Sequence, residues 1–391
     1  MRTKKLSLLL LSILILQGCN FRKDSQTDEA NIKEIYIDLS KKQQDFYDIA
    51  NDIEPDFDII ALETSDSCLI GYIRKIIYAN DLYYIQDNKG ASIFIFSNDG
   101  KFVSKLDKKW AGPDEYINIS SFAVKDRCIW IYDDVTKKLL CYNASFDKIK
   151  EIKIDIPCFD MIAFENNILL ATNWFWYGNE SYQLKNYNLT NEKTTEFFPF
   201  SQFEKSDIIT TMKSNQFAKL GDSCLFMYSH DNKLYQISAN NIIPQYKYTF
   251  SDRFEDKPLT NEMLNQKSNL IRGIDALFQT NKNIIIKYED SGEPTLAIYD
   301  KENENCKIHP SVFVNSDFVN FKIYRYFISE NQEIISVYEP ETLINYISEI
   351  YDEKENQNLS KKRELDSVLS DLSIGDNQVI IKYKLSKDSK L

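Results

Sequence analysis

Asp81-Leu82-Tyr83-Tyr84-Ile85-Gln86-Asp87, Ser92-Ile93-Phe94-Ile95-Phe96 and Asp99-Gly100-Lys101-Phe102 form a run that returns 46 residues later. The second copy reads Arg127-Cys128-Ile129-Trp130-Ile131-Tyr132-Asp133, Lys138-Leu139-Leu140-Cys141-Tyr142 and, with one residue added, Phe146-Asp147-Lys148-Ile149. Each copy is a half-buried strand, a turn containing Asp, a second strand ending in an aromatic, a tight turn and a third, more polar strand. One such unit cannot cover its own apolar faces, so copies must stack.

Weaker copies follow along the chain. Asn166 to Leu170 with Leu184 to Asn188 is the third, and Ser223 to Tyr228 with Lys233 to Ile237 and Ile242 to Tyr248 is the fourth. Asn283 to Tyr288 with Thr295 to Asp300 is the fifth, and Glu333 to Tyr338 opens a sixth that Gln378 to Lys384 completes. This arrangement predicts an all-β chain, a six-bladed β-propeller of four-stranded antiparallel blades, which leaves only short, protected edges. Helical spacing near 253–274 and 343–372 predicts two insertions, the second carrying Leu365, Val368, Leu369 and Leu372 on one face and splitting the last blade. Closing the ring then calls for an N-terminal strand, Phe57 to Leu62, paired into that blade.

The 391 residues are 43% hydrophobic, and 24 Tyr and 24 Phe suit sheets packed face to face, so a folded core is expected rather than disorder. A net charge of -12 without a basic stripe argues against a nucleic-acid partner. At the N-terminus, Arg2, Lys4 and Lys5 precede the apolar run Leu6 to Leu16, and Leu16-Gln17-Gly18-Cys19 closes it as a lipobox. The run is shorter than the roughly 20 residues that span a bilayer. Residues 1–18 therefore read as a lipoprotein signal peptide, Cys19 as the lipid attachment site, 19–33 as a flexible tether and 34–391 as the propeller. The expected location is the cell envelope, lipid-anchored at the outer membrane and facing the periplasm, since Asn20-Phe21-Arg22-Lys23-Asp24 lacks an acidic export run. Cys68, Cys128, Cys141, Cys158, Cys224 and Cys306 read as buried thiols, with Cys128 and Cys141 flanking one hairpin. With only His230 and His309, a Cys and His zinc site is not expected.

Ile60-Ala61-Leu62-Glu63-Thr64, Leu69-Ile70-Gly71, the Asp99-Gly100-Lys101-Phe102 turn and Gly112-Pro113-Asp114-Glu115-Tyr116 together resemble the six-bladed β-propeller lipoproteins of the Bacteroidetes, which are similar in architecture to NHL-repeat propellers. The resemblance covers nearly the whole mature chain and is strongest from Ile59 to Tyr142. It departs from the pattern at Asp107, Trp110 and Asp114, where glycine is usual. It implies the fold and not an activity.

Two clusters are candidates for ligand binding. Trp110, Glu115 and Tyr116 lie in a connection between blades and could form a platform; alternatively Gly112-Pro113 makes a turn, Glu115 binds backbone amides and Tyr116 packs between blades. Asn173, Trp174, Trp176 and Tyr177 are the densest aromatic group, able to stack on a sugar or to fill a layer between blades. No nucleophile elbow or phosphate loop is present, and Asp133-Asp134 reads as an Asx turn. The leading expectation is a non-catalytic binding module, anchored to the membrane by lipid, that recognises a glycan, peptide or envelope protein. No cofactor is expected. The alternatives are a hydrolase or lyase using funnel carboxylates, with calcium, and a structural subunit of an envelope assembly.

Overall fold

A computed structural model describes residues 31–385 except 44–46, 49–52, 88–91, 111, 173–181, 200–214, 229–230, 239–240, 256–259, 268, 311, 316–319, 324–325, 329–332 and 352–365. The repeated unit gains one strand that the sequence pattern did not isolate, and that strand comes first. Blade 1 is Ile73–Ala79, Leu82–Asp87, Ile93–Ser97 and Phe102–Leu106; blade 2 is Ile119–Lys125, Cys128–Asp133, Lys138–Tyr142 and Lys148–Lys153. Between the first two strands of each, the two-residue turns Asn80-Asp81 and Asp126-Arg127 hold φ between 50° and 60°. Two successive left-handed residues make the turn whose twist matches a hairpin, which is why Asn and Asp occupy it. The two blades also share their irregularities. Register slips lie between Ile73 and Lys75 in blade 1 and between Ile119 and Ser121 in blade 2, and again before Phe96 and before Tyr142. All three features, the turn and the two slips, recur at the 46-residue offset of the sequence.

Blade 3 is Asp160–Phe164, Asn167–Ala171, Tyr182–Asn188 and Thr194–Pro199, and blade 4 is Phe217–Leu220, Ser223–Phe226, Lys233–Ser238 and Asn241–Phe250. Blade 5 is Ile274–Gln279, Asn283–Asp290, Glu293–Asp300 and Cys306–His309. In blade 6, Tyr326–Ile328, Ile334–Tyr338 and Val379–Leu385 are completed by Ile53–Ala61 from the other end of the chain, with Ile380 opposite Ile60 and Tyr383 opposite Phe57. The chain is thus a six-bladed β-propeller closed by its own N-terminal strand.

Apolar clusters are shared between neighbours, as stacking requires. Tyr84 and Ile95 of blade 1 join Phe122 and Ile131 of blade 2 and Met161 and Ile168 of blade 3 in one core. Phe164 of blade 3 meets Phe226 of blade 4, Tyr246 of blade 4 meets Tyr299 of blade 5, and Ile335 of blade 6 meets Ile85 of blade 1. Each fully buried side chain of this size contributes about 1.5–3 kcal/mol, so the interfaces between blades hold the fold.

Two features were not legible in the period. Lys33–Ile37 adds to the outer edge of blade 4 as a parallel fifth strand, burying Ile35 and Ile37, so folded structure already includes Lys33. The same segment then passes blade 5 through the Lys42 to Ile308 bridge and pairs Tyr47–Asp48 with Val312–Asn315, which in turn pairs Asn320–Ile323 in a small additional sheet. Of the expected helical insertions, the first contains Asn261–Gln266, capped by the Thr260 side chain. The second begins earlier than its apolar spacing suggested, at Pro340–Tyr351, because proline suits the first helical position; residues 366–371 are also helical. Among the described residues no helix is long and apolar enough to cross a membrane.

Candidate functional site

The first strand of every blade faces the ring axis, and these strands line a partly enclosed cavity of about 390 Å³. That volume lies within the roughly 300–1,000 Å³ of small-molecule sites. Its walls are mixed. Phe159, Phe217, Phe278, Phe327 and Ile335 supply apolar surface, while Arg74, Lys75, Ser120, Ser121, Asp160 and Lys219 supply charge and hydrogen bonds. Local backbone explains why polar side chains appear in such apolar strands. Arg74 and Ser120 are the extra residues of the bulges that open blades 1 and 2, and a bulge re-aims the side chain it carries.

Lys75 reaches past blade 2 to blade 3. Its Nζ lies 3.0 Å from Asp160 Oδ1 and donates to the Met161 carbonyl at 2.6 Å and to Ser121 Oγ at 3.3 Å. Asp160 is held from the other side, accepting the Met161 amide at 2.9 Å on Oδ1 and the Gln216 amide of blade 4 at 2.9 Å on Oδ2. A buried pair is kept together only when such extra bonds satisfy it, and this one ties four blades. Lys219 donates to the Ala163 carbonyl at 3.2 Å, three residues beyond Asp160 and so roughly 10 Å further along the strand. Gln86 is fully buried, donates Nε2 to the Ile119 carbonyl at 2.8 Å and leaves Oε1 without a hydrogen-bond partner. Gln279 donates to the Ala218 carbonyl at 2.6 Å and accepts from Lys301 at 3.3 Å; burial pushes the Lys301 ammonium down to about 8. Behind the wall, burial pushes the Cys158 thiol up, which keeps it from acting as a thiolate.

The residues singled out from sequence lie elsewhere. Glu115 Oε2 accepts the Gly112 amide at 2.6 Å, and fully buried Tyr116 donates to the Leu106 carbonyl at 3.1 Å while packing edge-on against Tyr142 at 6.2 Å. Those contacts are the connector role set out for this loop. Trp110 is 79% exposed, and none of the three lines the cavity. Asn173, Trp174, Trp176, Tyr177, Cys19 and His230 lie outside the described residues. Asp133 makes the expected Asx turn, accepting from the Val135 amide at 3.1 Å and Thr136 Oγ1 at 2.8 Å, and also holds the Ile117 amide of the preceding connection at 2.9 Å. Cys68, Cys128, Cys141, Cys158, Cys224 and Cys306 are free thiols; Cys128 and Cys306 are only partly buried. Among the described residues no group of three or more His, Cys, Asp or Glu side chains could hold a metal ion, and Asp160 is the one carboxylate of the cavity wall.

Sequence reasoning missed the cavity residues Arg74, Lys75, Asp160 and Lys219. A signal existed: Ile73-Arg74-Lys75-Ile76-Ile77 and Phe217-Ala218-Lys219-Leu220 set cations inside apolar strands, each just before a two-residue turn.

No curated protein matches the sequence significantly. Among solved structures, the chain is similar to a candidate exported protein of Bacteroides fragilis, with a TM-score of 0.68 and 17% identity over 91% of this chain and 100% of that one. It is also similar to a member of the duf4221 family from Bacteroides vulgatus, with a TM-score of 0.48 and 10% identity over 86% and 99% of the two chains. The first likeness supports the fold alone. Residues 34–384 match the model of the family described as "Domain of unknown function (DUF4934)", and the chain belongs to that family.

Proposed function

We propose that this protein is an exported, lipid-anchored binding module of the NHL-like propeller type, and that it takes a small ligand, or the end of a glycan or peptide, into the channel along its ring axis. The observation carrying this reading is the cavity itself. All six blades contribute a lining strand, so its shape is set by the whole ring and not by one loop. Rigid walls that mix aromatic surface with a few fixed polar groups are what small-molecule recognition uses. The lipobox supports the anchoring part, with Cys19 as the acceptor of the acyl chains and the outer membrane, periplasmic side, as the location. A resident glycan or peptide would also meet the exposed indole of Trp110 only if it extended out of the channel.

The test has two arms. The purified full chain carrying Cys19→Ser is screened against sugars, short peptides and small acids by thermal shift and calorimetry. A saturable binder with no turnover, lost when Ala163→Trp fills the channel, is expected. A binder that Ala163→Trp leaves untouched would place recognition elsewhere. In cells, incorporation of labelled palmitate is expected for the natural chain and absent for Cys19→Ser; label on neither would remove the anchor from the reading.

A further inference from the structure

We infer that the channel takes an amphiphile: a small molecule with an apolar chain or ring and, at one end, a compact head that offers an N–H or O–H. The inference rests on the channel being the binding site, and it adds the chemical class and the direction in which the ligand lies.

The lengthwise sorting of the lining is the first observation. In blades 1 to 3 the first strands set polar side chains on the cavity at their starts: Arg74 and Lys75, Ser120 and Ser121, and Asp160. Further along the same strands the lining turns apolar, with Ile76 and Ile77, Ala123 and Val124, and Ile162 and Ala163. The polar starts form one belt, because Lys75 Nζ reaches Asp160 at 3.0 Å and Ser121 Oγ at 3.3 Å. Gln86 joins that belt from the second strand of blade 1, where it stands opposite Lys75. Phe217 of blade 4 follows Gln216, whose amide meets Asp160, and so lies one step past the belt. Tyr78, Lys219 and Gln279 bound the apolar stretch at its far end, where Lys219 donates to the Ala163 carbonyl at 3.2 Å and Gln279 to the Ala218 carbonyl at 2.6 Å.

The state of the belt is the second observation. Lys75 and Asp160 satisfy one another and the backbone around them. Gln86 differs. It is fully buried, its Nε2 is committed to the Ile119 carbonyl at 2.8 Å, and that bond fixes which way the amide faces. Its Oε1 has no hydrogen-bond partner among the described residues. A buried acceptor left unmade carries its full desolvation cost, which an N–H or O–H on a ligand would remove. In the same belt Ser121 Oγ accepts from Lys75 and keeps its own hydrogen to donate, so a head that both donates and accepts is matched. A sugar would meet the belt but set hydroxyls against Ile76, Ile77 and Phe217, where a polar group without a partner is costly. A bare hydrocarbon would fill the apolar stretch and leave Gln86 as it is. A molecule lying along the axis, with its head at the strand starts, satisfies both ends.

Straight-chain primary amides from butanamide to octanamide are the probes, and the methyl ketones of matching length, with a methyl in place of the amide nitrogen, are their controls. With the full chain carrying Cys19→Ser, calorimetry is expected to show one saturable site whose affinity for the amides rises about fourfold with each added methylene. Each amide should bind about tenfold more tightly than its ketone. Gln86→Met should remove that preference and keep the dependence on chain length. Ala163→Trp should abolish binding of both series. Affinity that does not rise with chain length, equal affinity for amide and ketone, or binding of no amide at all would overturn the amphiphile assignment; a sugar or peptide that then binds, and is lost on Ala163→Trp, would leave the channel reading in place. Retention of the amides by a folded Ala163→Trp chain would overturn the channel reading itself. Should Gln86→Met or Ala163→Trp fail to fold, the length series and the comparison of amide with ketone on the Cys19→Ser chain still decide the assignment.

Discussion

Tyr83 and Tyr132 are both fully buried on the second strands of adjacent blades, but their hydroxyls meet different surroundings. Tyr132 donates to the Ile154 and Ile156 carbonyls and so pins the segment that leads to blade 3. Tyr83 finds no hydrogen-bond partner among the described residues, and burial raises its ionisation far above the usual tyrosine range. A buried polar group without a partner keeps its desolvation cost, whereas a paired one returns a net gain. Tyr83→Phe is therefore expected to stabilise the chain by roughly 1 kcal/mol, and Tyr132→Phe to destabilise it by about 1–2 kcal/mol. Urea midpoints of the two variants, measured with unchanged slopes, check the opposite signs. Opposite signs from the same one-oxygen change would show that aromatic content alone does not set stability here.

The outer strap, the N-terminal segment that pairs with blade 4 at Lys33–Ile37 and passes blade 5 at Lys42, is the element whose fate depends on pH. Asp290, at the end of the second strand of blade 5, lies 2.6 Å from Arg253 Nη1 and 3.3 Å from Lys42 Nζ, so it joins the strap and the segment after blade 4 to one carboxylate. Burial alone would raise its ionisation, but the hydrogen bond and charge of Arg253, with those of Lys42, hold it below the ordinary carboxylate value. A carboxylate depressed in the folded state stabilises fully above its unfolded value near pH 4, and the gain is lost as pH falls through the folded value. Arg253→Ala should thus cost about 1–3 kcal/mol at pH 7 and progressively less below about pH 4, as read from unfolding curves at the two pH values. The strap itself was not legible, because Lys33–Ile37 is a single strand pairing in parallel with a partner over 200 residues away, and a period of 46 says nothing about that. Second and third strands were legible since their alternation and turns are local, down to Asp133 and the Phe96 and Tyr142 ends. Most first strands, all but the one that opens near Ser121, escaped for a physical reason. Channel-facing polar residues such as Lys75 and Asp160 break the apolar pattern that marks a strand, and their chemistry appears only when blades far apart in sequence converge.

At the scale of the whole molecule, one side-chain amide braces the seam at which the N-terminal strand closes the ring. Asn377 is fully buried just before the strand that receives the N-terminal segment; its Oδ1 accepts the Ile70 amide at 2.7 Å. Its Nδ2 donates to the Glu63 carbonyl at 2.7 Å and to the Cys68 carbonyl at 2.9 Å, and its own amide donates to Thr64 Oγ1 at 2.8 Å. Nearby, Lys382 meets Asp58 of the closing strand at 3.3 Å and lies 4.8 Å from the Tyr78 ring of blade 1. In an open array each repeat depends only on its neighbours, so damage at one end stays local. A closed ring differs, because opening one seam exposes two blade faces and frees every other blade to splay. Asn377→Ala would leave the buried Ile70 amide and Cys68 carbonyl without this partner and take one of two bonds from the Glu63 carbonyl, and should cost roughly 2–4 kcal/mol. The informative readout is where that loss falls. Hydrogen exchange in the second strand of blade 3, Asn167–Ala171, should speed up by the same factor as in Leu82–Asp87 of blade 1 and Ile334–Tyr338 of blade 6 if the ring opens as one unit. Faster exchange confined to blades 6 and 1 would mean that the blades unfold separately, and a cavity whose walls can part independently would not hold the fixed polar geometry that the proposed binding role requires.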